Sequence, residues 1–467
     1  MPDFQQPVAA QEAEKEDTLE NLTPFERQMM MKHRISWLFW EIAHASHSVC
    51  RVKRLLELCS GDATLMMSFF GLAGTFNNLF AMIISPLIGS LSDAYGRKYI
   101  VAAGRLGTAL FFISTAPGMP WLRAGGEAAM RAQAFLNVVS WGIIMPGNIA
   151  VQLAMADDLW GSRPKLSALI NAANSIPQNI SGVIAPFLGA LMNTYCHWLG
   201  FWGPFGLMVA TSLLWATGPE TLTEEKKKPF TMGKANPFKA IKLLLSNGVG
   251  LRRMSLAAGV FFAVIPGCWN FRTGYRTLNT QYGMNMTPNE TGYFDALNFG
   301  WNAISAKFVI PPMLESWGNK LAFERWSWIA IACHLLVSQS WRPAGASKLR
   351  MVLQYAIPAM LVSHPWGEVC NGSLRAMIIK QGIEVTDAGR GELSSAYDCM
   401  IQLAQIPTPI LWSWLFSKFG NAAQGTLLGS VGPGTPPPPP PVPLGMSWTG
   451  LFLLSAEPGG GVWQVGT

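Results

Sequence analysis

The chain has 467 residues, half of them hydrophobic and only 13% charged, whereas soluble globular proteins carry about 25% charged residues. That deficit argues against a soluble class. The net charge of +7 is scattered between apolar runs, so it is no nucleic-acid footprint. Seven cysteines without a Cys-x-x-Cys pair argue against a zinc or redox motif.

In chain order, residues 1–28 are polar and acidic, without the basic start and apolar core of a leader peptide, and read as a solvated tail. Ile35–Cys50 is short and carries Glu41, His44 and His47, so by itself it is a weak first span. Cys50 and Cys59 flank the loop that follows and are read as free thiols. Ala63–Ser92 has no Lys, Arg, Asp or Glu and exceeds the ~20 residues needed to cross a bilayer. Leu106–Leu122 and Ala132–Ala156 each fit one helix. Leu166–Pro219 is too long for a single span, and Asn193–Gly200 is its natural break. Residues 219–253 are hydrophilic, with Lys226-Lys227-Lys228, and read as a central loop. Beyond it come Met254–Phe271, Thr291–Leu314, Trp326–Trp341, Met351–Gly367 and Cys399–Ser417. Spans of this length are helices, since only helices or closed barrels satisfy their backbone in lipid. Residues 433–443 include six consecutive prolines, an extended stretch. Leu444–Ala456 is too short for a complete last helix.

Placing the tail and the polar turn at Gly89–Lys98 inside puts 20 of the 34 Lys and Arg on that side and 11 on the other, as the positive-inside rule expects. Arg51, Lys53 and Arg54 fall outside and are discordant. The halves echo one another: Pro311–Lys320 aligns with Gly89–Lys98, setting Glu315 against Asp93, Gly318 against Gly96 and Lys320 against Lys98.

The turn Gly89-Ser-Leu-Ser-Asp93-Ala-Tyr-Gly96-Arg97-Lys98 resembles the signature loop of the major facilitator superfamily, between its second and third transmembrane helices. The resemblance implies an all-α membrane protein with two six-helix bundles, nominally 12 spans, the first and last poorly formed. The corresponding parts are a cytoplasmic tail (1–28), a first bundle (29–218), a central loop (219–253) and a second bundle (254–467). It further implies a secondary carrier that moves a small organic solute by alternating access, with coupling to protons left open, and works as a monomer in the lipid bilayer. No cofactor is implied. Physically, small glycines allow close approach, an aspartate accepts bonds from open helix amides, and an arginine fork matches a carboxylate. In the family, Asp93 would touch the start of the eleventh helix. Arg97 would pair with an acid ending the fourth, where Asp157 and Asp158 stand. Arg163 resembles part of the following loop.

Gly182-Val-Ile-Ala-Pro186-Phe-Leu-Gly189-Ala190 resembles the glycine–proline pattern of helix five in tetracycline- and drug-exporting proton antiporters, with Ala185 and Ala190 where glycines are usual. Each feature alone is also compatible with routine helix packing.

Glu41, Asp295, Glu368 and Asp398 are the intramembrane acids. Glu41 or Asp295 suits proton coupling, since such groups line polar cavities or relays, while a helix-end place in headgroup water is the commoner reading for Glu41. Asn171, Asn174 and Gln178 share one helix face and suit either a solute or a neighbouring helix. Glu41-x-x-His44 lacks the second motif that a bridged metal site needs, and no metal is expected. No phosphate loop, His-Glu-x-x-His or Gly-x-Ser-x-Gly occurs, so an enzyme is not indicated. The alternative is a transporter-like receptor or assembly partner, which the weak first and last spans favour.

Overall fold

In the computed structural model, residues 22–146, 148–160, 164–227, 229–230, 236–264, 286–338, 356–365, 372–386, 388 and 390–419 are described. Every regular element among them is a helix. The Pro-rich stretch at 433–443, Leu444–Ala456 and Arg163 lie outside the described residues.

The first helix, α1 (Pro24–Leu58), is complete. Thr23 caps it: its hydroxyl accepts from the Glu26 amide (3.2 Å), and the Glu26 carboxylate accepts from the Thr23 amide (2.9 Å). Pro24 occupies the first position, where its missing N–H costs nothing. The expectation of a poorly formed first span is therefore corrected, and the helix starts inside the stretch read as tail. The polar residues that weaken its hydropathy are the reason: Glu41 and His47 are buried in the bundle instead of facing solvent. Arg51, from the discordant basic cluster, lies between the rings of Phe70 (4.9 Å) and Phe111 (4.6 Å), while Arg54 pairs with Glu57 (3.2 Å). Cys50 and Cys59 are free and buried.

Next come α2 (Ala63–Tyr95) and α3 (Lys98–Ile113). α4 (Gly126–Asn137) runs on through a π-helical stretch, Val138–Ile144, and α5 (Asn148–Trp160) follows Pro146. The run expected as one helix is thus two, joined by widened turns. α6 (Pro164–Tyr195) and α7 (Leu199–Ala216) divide within the expected break.

The segment read as a central loop contains a helix, α8 (Pro237–Ser246), which buries Ile241 and Leu244. α9 (Val249–Val264) begins before Met254. Then follow α10 (Pro288–Phe308), α11 (Ile310–Ser338), α12 (Ile357–Pro365), α13 (Gly372–Val385), α14 (Arg390–Gln405) and α15 (Thr408–Phe419). Gly318 breaks α11 with φ 67° and ψ 170°.

Helix α1 packs on α6 and α7, α3 on α7, α6 on α10, and α2 on α14 and α15. The polarity of the helices is inverted relative to a water-soluble protein. Glu41, Arg105, Gln133, Asn137, Asn148 and Gln152 are buried, whereas Ile180, Ile184, Phe187 and Leu191 form an exposed stripe along α6. Leu297, Ile304 and Phe308 do the same on α10. Hydrocarbon is the solvent that rewards this arrangement, because it removes the penalty for exposed apolar surface and leaves polar groups to pair inside. Leu65–Tyr95 and Leu199–Ala216 are each long and apolar enough to cross a bilayer.

Candidate gating site

The polar turn between α2 and α3 is built on Gly96, whose φ of +104° is the left-handed conformation that favours glycine. The turn aims the open amides of the α3 N-terminus at one carboxylate, that of Glu220. Arg97 N donates to both Glu220 oxygens (3.0 Å each), and Lys98 N donates to Oε2 (3.3 Å). Glu220 is held in turn by the amides of Thr221 (2.9 Å) and Leu222 (3.2 Å). A Cβ on residue 96 would fall 2.5 Å from Glu220 Oε2 and displace that carboxylate, while the left-handed φ is what calls for glycine. An acid on a helix N-terminus completes unpaired N–H groups and complements the helix dipole.

The Arg97 side chain is buried and spans three partners. Its Nε donates to Asp158 Oδ2 (2.5 Å) and Nη2 to Asp158 Oδ1 (3.3 Å), a fork-to-fork pair. Nη1 reaches Asp93 Oδ1 (3.2 Å) and Ser92 Oγ (3.4 Å). Lys98 Nζ donates to the Gly218 carbonyl (3.2 Å). Turn, end of α5 and segment 218–222 are thereby tied into one clasp inside the first half.

Asp93 does not complete the arrangement expected of it. Its side chain is 45% exposed, and its partner among the described residues is Arg97, not the start of α14. Gly89 has no atom near an added Cβ, so it makes no close approach. Asp157 is placed on the last turns of α5, and Asn171, Asn174 and Gln178 on α6; their side chains, and that of Glu315, are not described. Gly318 repeats the positive φ of Gly96, while Lys320 is exposed.

Away from the Gly96 end the two halves meet along two seams. On the first, Thr75 Oγ1 donates to the Ile406 carbonyl (2.8 Å), Asn78 Nδ2 to the Gln405 carbonyl (2.8 Å) and Ser413 Oγ to the Met67 carbonyl (2.5 Å). Pro409 has no N–H to bond the Gln405 carbonyl, so the break between α14 and α15 offers an acceptor that Asn78 fills. Gly71 and Gly74 make room: a Cβ there would stand 2.6 Å from Ser413 Cβ and 2.9 Å from Pro409 Cβ. On the second seam, Gly182 lies against the Phe299 ring, and Gly292 lies against the Pro186 carbonyl. Gly189 serves a different contact, with the Ser46 backbone on α1. At the opposite end Asp93, Arg97 and Lys98 bond only within the first half among the described residues.

A buried polar network occupies the interior of the first half. Glu41 lies within Coulombic reach of Arg105. Arg105 donates to Gln152 Oε1 (3.3 Å), and Gln152 Nε2 donates to Asn148 Oδ1 (2.6 Å). The His44 ring stacks on Trp40 (5.0 Å), and no cluster among the described residues has the make-up to hold a metal. Asp295 is half-buried on α10.

Two residues carrying this geometry, Glu220 and Asn78, were not singled out by the sequence. Glu220 stands at the start of the hydrophilic stretch 219–253, and nothing local says that this acid folds back onto a turn more than 120 residues earlier.

The fold is that of the major facilitator superfamily, and two curated proteins, one named for that superfamily and one named as a transporter, are similar in sequence. No family model matches the chain. It is 30% identical over 197 residues to major facilitator superfamily domain-containing protein 10 of Bos taurus, a match covering 41% of this chain and 38% of that protein. A protein of Mycolicibacterium smegmatis named as a triacylglyceride transporter is 31% identical over 126 residues, 25% of this chain and 19% of its own length. The matched stretches thus span well under half of these curated relatives. Among solved structures, the human organic anion transporter MFSD10 (TETRAN) superposes with a TM-score of 0.58 at 17% identity, covering 93% of this chain and 99% of that one. The nucleoside transporter NupG gives 0.60 at 12% identity over 84% and 91%. A D-xylose–proton symporter gives 0.60 at 12% over 86% and 95%. The mycobacterial protein and the three solved structures carry transporter names, and the chain is an integral, multi-pass membrane protein.

Proposed function

We propose that the chain is a secondary carrier that moves a small organic solute by alternating access, with its N-terminus and the Gly96 clasp on the cytoplasmic side. The observation that carries this reading is the asymmetry between the two ends. The seams formed by α2 with α14 and α15, and by α6 with α10, are closed by hydrogen bonds and glycine contacts. At the other end Asp93 stands half-exposed, and its partner among the described residues is Arg97. On this reading the halves part at the clasp end in one state, and Asp93 is the group that engages the start of α14 when that end closes. The complete first helix weakens the receptor alternative, which rested partly on a defective one.

The carrier works as a monomer in this reading. Proton coupling is assigned to Glu41, whose charge is set against Arg105 deep in the first half. An organic anion is the first solute class to screen, because the structural relative matched over 99% of its length carries that name.

The test is untargeted metabolite uptake in cells expressing the chain, compared with an Arg97→Ala control. A solute accumulated or expelled only by the wild type supports the proposal. Ligand binding by the purified chain without flux in liposomes, with or without a pH gradient, would establish the receptor reading instead.

A further inference from the structure

We propose that the face formed by α8, the start of α9 and the end of α13 is a docking surface for anionic phospholipid headgroups of the cytoplasmic leaflet. Helix α8 buries Ile241 and Leu244 against Leu251, Leu374, Ile378 and Leu393, which fixes its orientation. The free face presents exposed Lys239 and Lys242, with Phe238, 66% exposed, at its edge. Asn236 caps the helix through the Phe238 amide (3.0 Å), so the phenyl ring is set at a rigid helix start and not on a loose loop. Only two residues separate this helix from α9, where Val249 is 55% exposed and Arg252 and Arg253 point to solvent. Gly250 lies against Gln381 of α13, bringing exposed Lys380, Ile383 and Val385 to the same end.

Five cations (Lys239, Lys242, Arg252, Arg253, Lys380) therefore surround four exposed apolar side chains, and none of the five forms an ion pair with a described residue. Glu384 is the one exposed acid among the described residues of these three segments. Lys227, from the basic run upstream, is by contrast tied to Glu224 (2.6 Å). Exposed apolar groups next to unpaired cations match the chemistry of the headgroup boundary: rings and aliphatic groups enter the acyl edge while ammonium and guanidinium groups meet phosphate and carboxylate. Leu256, exposed one turn beyond Arg252, continues the same side of α9 into hydrocarbon. A soluble acidic protein would satisfy the cations but leave the apolar side chains and this continuity into the bilayer unexplained.

The test uses the full chain reconstituted in vesicles of phosphatidylcholine alone, or with one quarter phosphatidylserine, each carrying a trace of photoactivatable phosphatidylserine. Cross-links are mapped to peptides. The expected result is labelling within residues 237–256 that falls about thirtyfold for each pair of cations removed (Lys239→Ser with Lys242→Ser, or Arg252→Ser with Arg253→Ser). Lys239→Arg with Lys242→Arg should retain it. All variants are compared at equal thermal midpoint and elution volume. Two results would overturn the proposal: unchanged labelling in both Ser pairs, or labelling abolished by inorganic phosphate at an ionic strength where chloride has no effect. The second would assign the patch to a free phosphate instead of a bilayer.

Discussion

Glu220 concentrates the chemistry of the clasp. One carboxylate accepts from four backbone amides, two on the α3 N-terminus and two on its own turn, and it fills the space left by the absent side chain of Gly96. Bonds to a charged acceptor are worth about 1.5–3 kcal/mol each when buried, although these are only partly buried. Glu220→Gln should therefore lower the thermal midpoint in detergent, and it should expose the turn at Tyr95–Lys98 to limited proteolysis. An unchanged cleavage pattern would show that the acid is incidental. Gly96→Ala should be worse than an ordinary surface change, because a left-handed backbone costs an L-residue roughly 1–2 kcal/mol before the collision with Glu220 is counted. Arg97→Lys keeps the charge but loses the fork shared with Asp158 and Asp93. It should lower the midpoint by nearly as much as Arg97→Ala; full rescue by Lys would mean that charge alone matters.

Among the helices, the legibility of the sequence depended on which solvent each side chain meets. Runs without charge gave α2, α6 and α7 almost to their ends, because their outward faces meet hydrocarbon and show as hydropathy. Helix α1 was underrated because Glu41 and His47 face the bundle, and hydropathy averages around a helix without regard to direction. Helix α8 was missed for the opposite reason: a single apolar edge, Ile241 and Leu244, is diluted by lysines on the free face. At the candidate site, the resemblance of the turn implied that Arg97 pairs with an acid at the end of α5 and left Asp157 and Asp158 both open; the partner is Asp158. The Glu220 contact and the Asn78 bond to the Gln405 carbonyl join residues far apart in sequence, and no local pattern encodes either.

The seam of α2 with α15 makes an element-scale prediction of its own. Gly74→Leu should be unable to close that end, since Pro409 occupies the space. A label attached near Ser413 should then become reachable by an impermeant reagent from the side opposite the clasp. Equal protection in wild type and variant would remove this seam as a gate.

At the scale of the whole molecule, the proposed alternating access makes the arrangement joined at the Asn78–Gln405 seam one of a pair of states. The free energies of those states must lie within a few kcal/mol for a carrier to cycle. If Glu41 relays the proton, Glu41→Gln should abolish the response of transport to a pH gradient while leaving solute exchange intact. Retained pH-driven accumulation would move the role elsewhere. The opening itself is open to measurement without knowledge of the solute. Spin labels on non-natural residues at Tyr95 and Glu384, which leave the seven cysteines in place, report the separation of the two halves at the clasp end by pulsed electron resonance. Two distances are expected, with Asp93→Asn shifting the population toward the longer one because the open end no longer has an acid to close onto α14. A single distance, identical in wild type and Asp93→Asn, would contradict alternating access built on this clasp.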